Sequence, residues 1–148
     1  RWPGRLELVR DAGDRWVLLD AAHNPAAASA LGRYLAEVYP HGLPLVFAAM
    51  HDKDVAGIIR ALAPHVTRVV CTSVQNPRAY RADDLADAVA AACPDLPTTV
   101  QESPRSALEA AWTDGNIVCA AGSAFLVGEL SDLIPGVATA TPTICRPQ

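Results

Sequence analysis

Lysine is nearly absent: Lys53 stands alone beside eleven arginines in a chain of 148 residues. It sits between Asp52 and Asp54, so no Gly-Lys-Ser/Thr run exists and a phosphate-gripping P-loop is excluded. No G-x-G-x-x-G follows an expected strand, because Gly122-Ser123-Ala124 fails at the third position, and a dinucleotide dehydrogenase is not expected. The sequence lacks a Gly-x-Ser-x-Gly elbow, which argues against a serine hydrolase. No apolar run approaches the roughly 20 residues that cross a bilayer, and no charged-then-apolar leader directs export. The four cysteines, Cys71, Cys93, Cys119 and Cys145, are not paired at metal-ligand spacing. Reduced, mostly buried thiols in a cytoplasmic protein are therefore expected, with neither zinc nor disulfides. The net charge of -4 disfavours a nucleic-acid partner, whose phosphates need a basic face. The first residue is Arg1 rather than Met, as expected of a piece of a longer chain.

Half of the residues are hydrophobic and 19% are charged, a globular balance with enough chain for one core. Arg5 to Arg10 alternates polar and apolar like a half-buried strand, and Asp11-Ala12-Gly13-Asp14 is turn chemistry. With Trp16 to Leu19 as partner strand, this opening reads as a hairpin. Asn24 and Pro25 then suit the cap and first position of a helix carrying Leu31, Tyr34, Leu35 and Val38 on one face, stopped at Pro40. Strands are expected at Leu45–Ala48, Arg68–Thr72, near Thr99-Val100 and at Asn116–Ala120. Helices are expected from about Asp54, across Asp83 to Cys93, after Ser103-Pro104 and from Ala124 to Leu133. This alternation predicts an α/β fold: a Rossmann-like three-layer sandwich, mostly parallel, with an antiparallel edge hairpin. The domain is expected over residues 1–133, with 134–148 a loosely held tail.

At the carboxyl ends of these strands stand Asp20, His23 and Asn24; His51, Asp52, Lys53 and Asp54; Ser73, Asn76 and Arg78; and Gly122 with Ser123. Open α/β sheets bind ligands at that edge. Each residue also has an ordinary structural use. Asp20 can neutralise a helix terminus or hold ribose hydroxyls, and Asn24 is a cap before it is a ligand. His23 divides evenly between loop residue and site residue, Lys53 can be one more solvated charge, and Arg5 can be a plain edge-strand arginine. His51 is ambiguous, and His41 and His65 have no evident partner.

Three stretches in order are more telling: Trp2-Pro3-Gly4-Arg5-Leu6-Glu7, Asp20-Ala21-Ala22-His23-Asn24-Pro25 and Asp52-Lys53-Asp54. They resemble the C-terminal domain of folylpolyglutamate synthase/dihydrofolate synthase, in the Mur ligase superfamily, with Arg78 after Asn76-Pro77 and Gly122-Ser123 fitting the same pattern. The resemblance implies an ATP-dependent amide ligase that joins L-glutamate to a pteroate or folate through an acyl phosphate. It implies that Arg5 reaches ATP phosphates, Asp20 the ribose and Asn24 the same nucleotide region. It places His23 near the reacting groups and glutamate, Lys53 as an electrostatic helper, and Arg78 and Ser123 as substrate contacts. It implies that the P-loop and the Mg²⁺ ligands lie in another domain, that no metal is held here, and that the enzyme is a monomer. One departure is Ala21, where the family usually has glycine; a methyl is tolerated there if φ stays negative. A peptidoglycan Mur ligase domain, or a non-catalytic module that uses the same cleft, are the competing readings.

One outcome follows from the absent P-loop. Mixed with ATP, L-glutamate and a pteroate, this chain by itself is expected to release no ADP; measurable ADP in a coupled assay would refute that.

Overall fold

Successive side chains of a strand point to opposite faces of a sheet, and here both directions are apolar. The computed structural model describes residues 4–134 and 138–139. Within it Leu18, Leu45, Phe47, Val69, Cys71 and Cys119 join one buried cluster. Their neighbours Val17, Leu19, Val46, Val70, Val118 and Ala120 join a second. Two buried faces demand a helix layer on each side.

The elements are β1 (Glu7–Asp11), β2 (Arg15–Asp20), α1 (Pro25–Val38), β3 (Leu43–Phe47), α2 (Val55–Leu62), β4 (Val66–Cys71), α3 (Ala82–Ala92), β5 (Thr98–Val100), α4 (Pro104–Ala111), β6 (Ile117–Ala121), α5 (Ala124–Leu133) and β7 (Ala138–Thr139). The sheet order is β5-β4-β3-β6-β2-β1-β7. Every pairing from β5 to β2 is parallel, whereas β1 runs antiparallel to both β2 and β7. Helices α1, α2 and α3 supply the first cluster, with Leu31, Leu35, Ile58, Ile59, Leu85 and Val89. Helices α4 and α5 supply the second, with Ala107, Leu108, Ala111, Leu126 and Leu130. The expected α/β sandwich with its antiparallel hairpin is the observed architecture.

Strands β3 and β4 begin two residues earlier than expected, at Leu43 and Val66, and two further details differ from the sequence expectation. Strand β1 starts at Glu7, not Arg5, because Leu6 takes a φ of 49° that no strand accommodates. Residues 138–139, from the stretch assigned to the tail, pair with β1 through Val9↔Ala138 and Leu8↔Thr139. Trp2, Pro3, Cys145 and the remainder of the tail lie outside the described residues.

The caps explain where the helices begin. Asn24 Oδ1 accepts from Ala27 N–H at 2.8 Å, with Pro25 at the first position of α1. Asp54 Oδ1 accepts from Gly57 N–H at 2.9 Å, and Ser103 and Ser106 form a reciprocal capping box on α4. Strand β3 carries Pro44, which cannot donate to a ladder; the β3–β4 register shifts between Leu43 and Leu45.

The order places β6 between β3 and β2, and this decides where a crevice opens. The helices that follow β2 and β3 cover one face, and the helix that follows β6 covers the other. Such divergence at neighbouring strand ends leaves a gap at the carboxyl edge. Gly122 turns the chain there with a φ of +111°. A Cβ on it would sit 2.2 Å from the Ala48 carbonyl oxygen and 2.6 Å from the Phe47 ring.

Backbone sits on one side of that contact and a buried ring on the other, so neither can yield cheaply. Gly122→Ala is expected to lower unfolding free energy by about 3 kcal/mol, from overpacking and backbone strain together. Urea denaturation of the two proteins measures it.

Candidate functional site

The segment before β1 is held by the end of β2. Asp20 is 7% exposed, and both of its carboxylate oxygens are engaged by backbone. Ala22 N–H donates to Oδ1 at 2.9 Å, and Leu6 N–H donates to Oδ2 at 3.2 Å. Ala21 N–H donates to the Gly4 carbonyl at 2.7 Å, and Gly4 N–H donates to Glu7 Oε1 at 3.3 Å. Arg5 therefore sits between two left-handed residues, Gly4 at φ 74° and Leu6 at φ 49°. Leu6 is a branched residue in a conformation that costs about 1–3 kcal/mol when unsupported. Asp20 supplies the support. The turn throws Arg5 outward, so it is exposed at the mouth of a cavity instead of lying along a strand.

That cavity has a volume of about 270 Å³ and is lined by Arg5, Leu6, Asp20, His23, Asn24 and the first turns of α1. Arg5 lies close enough to Asp20 for its charge to favour the ionised carboxylate. Burial outweighs this and both amide bonds, so the Asp20 carboxyl titrates above its ordinary value. A second cleft, of about 160 Å³, is lined by His23, Met50, Lys53, Arg78 and the turn from Gly122 to Phe125. His23 is thus the shared wall. Its Nδ1 lies 2.9 Å from the Ala21 carbonyl oxygen, which can only accept. In the neutral ring Nδ1 then carries the hydrogen, and Nε2 keeps its lone pair.

The two spaces differ chemically. The first sets one arginine beside a buried acid. The second gathers Lys53, Arg78 and His23 at the start of α5, the positive end of that helix's dipole. Ser123 is 3% exposed, and its hydroxyl accepts from Phe125 N–H at 3.0 Å, so it serves as the cap of α5. Asn24 likewise spends its side-chain oxygen on α1. Arg78 Nη1 lies 4.0 Å from Asp52 Oδ2, both side chains being more than half exposed. The structure thus brings Arg5, Asp20, His23 and Asn24 to one cavity, and His23, Lys53, Arg78 and Ser123 to its neighbour. Met50 and Phe125 complete the second cleft without any motif to announce them; only their places beside strand ends mark them in the sequence. Ala21 has no positive φ, so the methyl in place of glycine is accommodated. Among the described residues no group of three or more His, Cys, Asp or Glu side chains converges as a metal site, and no helix is long and apolar enough to cross a membrane.

The raised titration of Asp20 has a definite sign. Between its unfolded and folded pKa values the native state keeps a proton that the unfolded chain has released, so this group's contribution to stability falls as pH rises through that interval. The difference in unfolding free energy between the wild type and Asp20→Asn is accordingly expected to shift against the wild type as pH climbs from about 4, then to level off. Denaturation midpoints across pH for both proteins measure it; a pH-independent difference would contradict the burial argument.

Comparison with known proteins places the sequence and the fold in one family. A family model described as Mur ligase, glutamate ligase domain, matches residues 4–124. The dihydrofolate synthase/folylpolyglutamate synthase of Mycobacterium tuberculosis is 46% identical over 85 residues, which are 57% of this chain and 17% of that protein. A solved Mycobacterium tuberculosis folylpolyglutamate synthase complexed with ADP and AMPPCP superposes with a TM-score of 0.82 at 35% identity, covering 94% of this chain and 34% of that one. A bifunctional folylpolyglutamate synthase/dihydrofolate synthase with Mn, AMPPNP and L-glutamate bound gives 0.72 at 26% identity, covering 90% and 32%. The chain spans about a third of the length of these solved relatives. With residues 4–124 matching the family model and the fold superposing on solved members, the chain belongs to the family of Mur ligase glutamate ligase domains.

Proposed function

We propose that this chain is the closing domain of an ATP-dependent ligase that adds L-glutamate to a (dihydro)pteroate or folate. The observation that carries the reading is the pair of adjoining spaces with His23 as their common wall: an arginine and an acid on one side, a cationic cleft on the other. A cavity of about 270 Å³ is small beside the roughly 300–1,000 Å³ of complete small-molecule sites, which suits a surface that covers a nucleotide gripped elsewhere. The relatives' ADP, AMPPCP and L-glutamate complexes support nucleotide and amino acid as its ligands.

In the reaction the terminal phosphoryl group of ATP passes to the substrate carboxylate, giving an acyl phosphate and ADP. The glutamate amine then attacks the acyl carbon, the amide forms, and phosphate leaves with the C–O bond electrons. Phosphoryl transfer needs charge stabilisation above all, and Arg5 supplies a planar fork for phosphate oxygens. Asp20 holds the Arg5 turn with one lone pair on each oxygen and offers the remaining ones to ribose hydroxyls. His23 Nε2 faces the reacting groups as an acceptor, and Asn24 borders the nucleotide while capping α1. Lys53, Arg78 and the Ser123 turn receive the glutamate carboxylates. Mg²⁺, which would neutralise the phosphates, takes its ligands from the rest of the ligase. The complete enzyme works in the cytoplasm as a monomer, without a nucleic-acid or membrane partner. The folate synthases among the relatives favour this reading over the peptidoglycan alternative.

The test uses the complete ligase containing this chain. ADP formation is expected only with ATP, L-glutamate and a dihydropteroate or reduced folate together. Arg5→Ala should lower kcat by about 10²–10³-fold, the usual loss for one charge-stabilising donor. Turnover of a nucleotide-linked peptidoglycan precursor instead of the folate would overturn the reading.

A further inference from the structure

Arg78 stands in the cationic cleft, yet its own contacts hardly fix it. Its ion pair with Asp52 spans 4.0 Å between side chains that are 66% and 58% exposed, and pairs of that kind hold little. The position of the guanidinium is set by the backbone of the loop between β4 and α3.

That loop is fastened at both ends. At its far end His51 N–H donates to the Arg78 carbonyl at 2.7 Å, Tyr80 N–H donates to the Ala49 carbonyl at 2.9 Å, and the His51 and Tyr80 rings stack 4.1 Å apart. Ser73 Oγ–H donates to the Tyr80 carbonyl at 2.8 Å and closes the loop on itself. At its near end Gln75 N–H donates to Glu129 Oε2 at 2.8 Å. Glu129 belongs to α5, the helix whose first turn forms the opposite wall of the cleft. This one bond therefore ties wall to wall. A carboxylate accepting from a backbone amide is a charge-assisted bond, stronger than a neutral one.

We propose that Glu129 is a positioning residue, which sets how far the Arg78 loop stands from the start of α5 and so where Arg78 meets a ligand carboxylate. The inference rests on the amino-acid reading of this cleft. Glu129 touches no ligand itself; it acts through Gln75 and the loop, and nothing in its sequence surroundings points to that part.

The experiment has two arms on the complete ligase containing this chain. Amide hydrogen exchange is first compared in the wild type, Glu129→Ala and Glu129→Gln. Exchange at Gln75 and its loop neighbours should rise about tenfold in Glu129→Ala and stay within about threefold in Glu129→Gln, which keeps a carbonyl acceptor, while β3 and β6 amides are unmoved. Unchanged exchange in Glu129→Ala, or an equal rise in both variants, would overturn the inference. L-glutamate is then titrated by amide chemical shift. Arg78→Ala and Glu129→Ala should each weaken the response by about three- to tenfold, and the double variant should be no weaker than Arg78→Ala alone. Fully additive losses would likewise defeat it. A wild type that does not respond to L-glutamate counts against the amino-acid reading, and the exchange arm then decides the part of Glu129 by itself.

Discussion

A buried carboxylate with two backbone amides is the constraint from which the site is assembled. Asp20 closes β2, the strand beside the topological divergence, and at the same point it holds Leu6 in a left-handed turn. The bonds offset two costs at once: the desolvation of the acid and the strain of a branched residue at positive φ. Neither feature would persist alone. Together they make a rigid corner that carries Arg5 outward and leaves His23 immediately beyond the bonded Ala21-Ala22 turn. Gly4 belongs to the same corner, because a Cβ there would meet Val127 at 2.7 Å.

The sheet does the rest by topology. Both faces are buried, so polar groups have few places to go except the strand ends. With β6 inserted between β3 and β2, the loops after three neighbouring strands face one another, and their residues meet although they are a hundred positions apart. The outcome is two small open spaces instead of one deep pocket. A surface of that kind is consistent with the proposed closing role, in which a domain adds charges to a ligand held from the other side and excludes water.

Helix starts were legible because capping is local: Asn24-Pro25, Asp54, Ser103-Pro104 and Ser123 act within three residues of themselves. Strand β3 was legible only from Leu45, since Pro44 disguises its first half. Arg5 read as strand because its stretch alternates, and alternation cannot register that Asp20, fifteen residues on, captures the next amide. His51 was ambiguous for the same reason, its partner Tyr80 lying in another loop. Glu129 carried no signal at all, being one acid on a helix surface until Gln75 is brought beside it.

The sequence by itself determined the layer count, the helix boundaries and which residues crowd the strand ends, because those depend on periodicity and on contacts within a few residues. Tertiary structure alone decided that Arg5 and Asp20 share a cavity, that His23 serves two, and that Arg78 stands where α5 can hold its loop. Those are relations between distant segments, and they exist only once burial of both sheet faces has set the strand order.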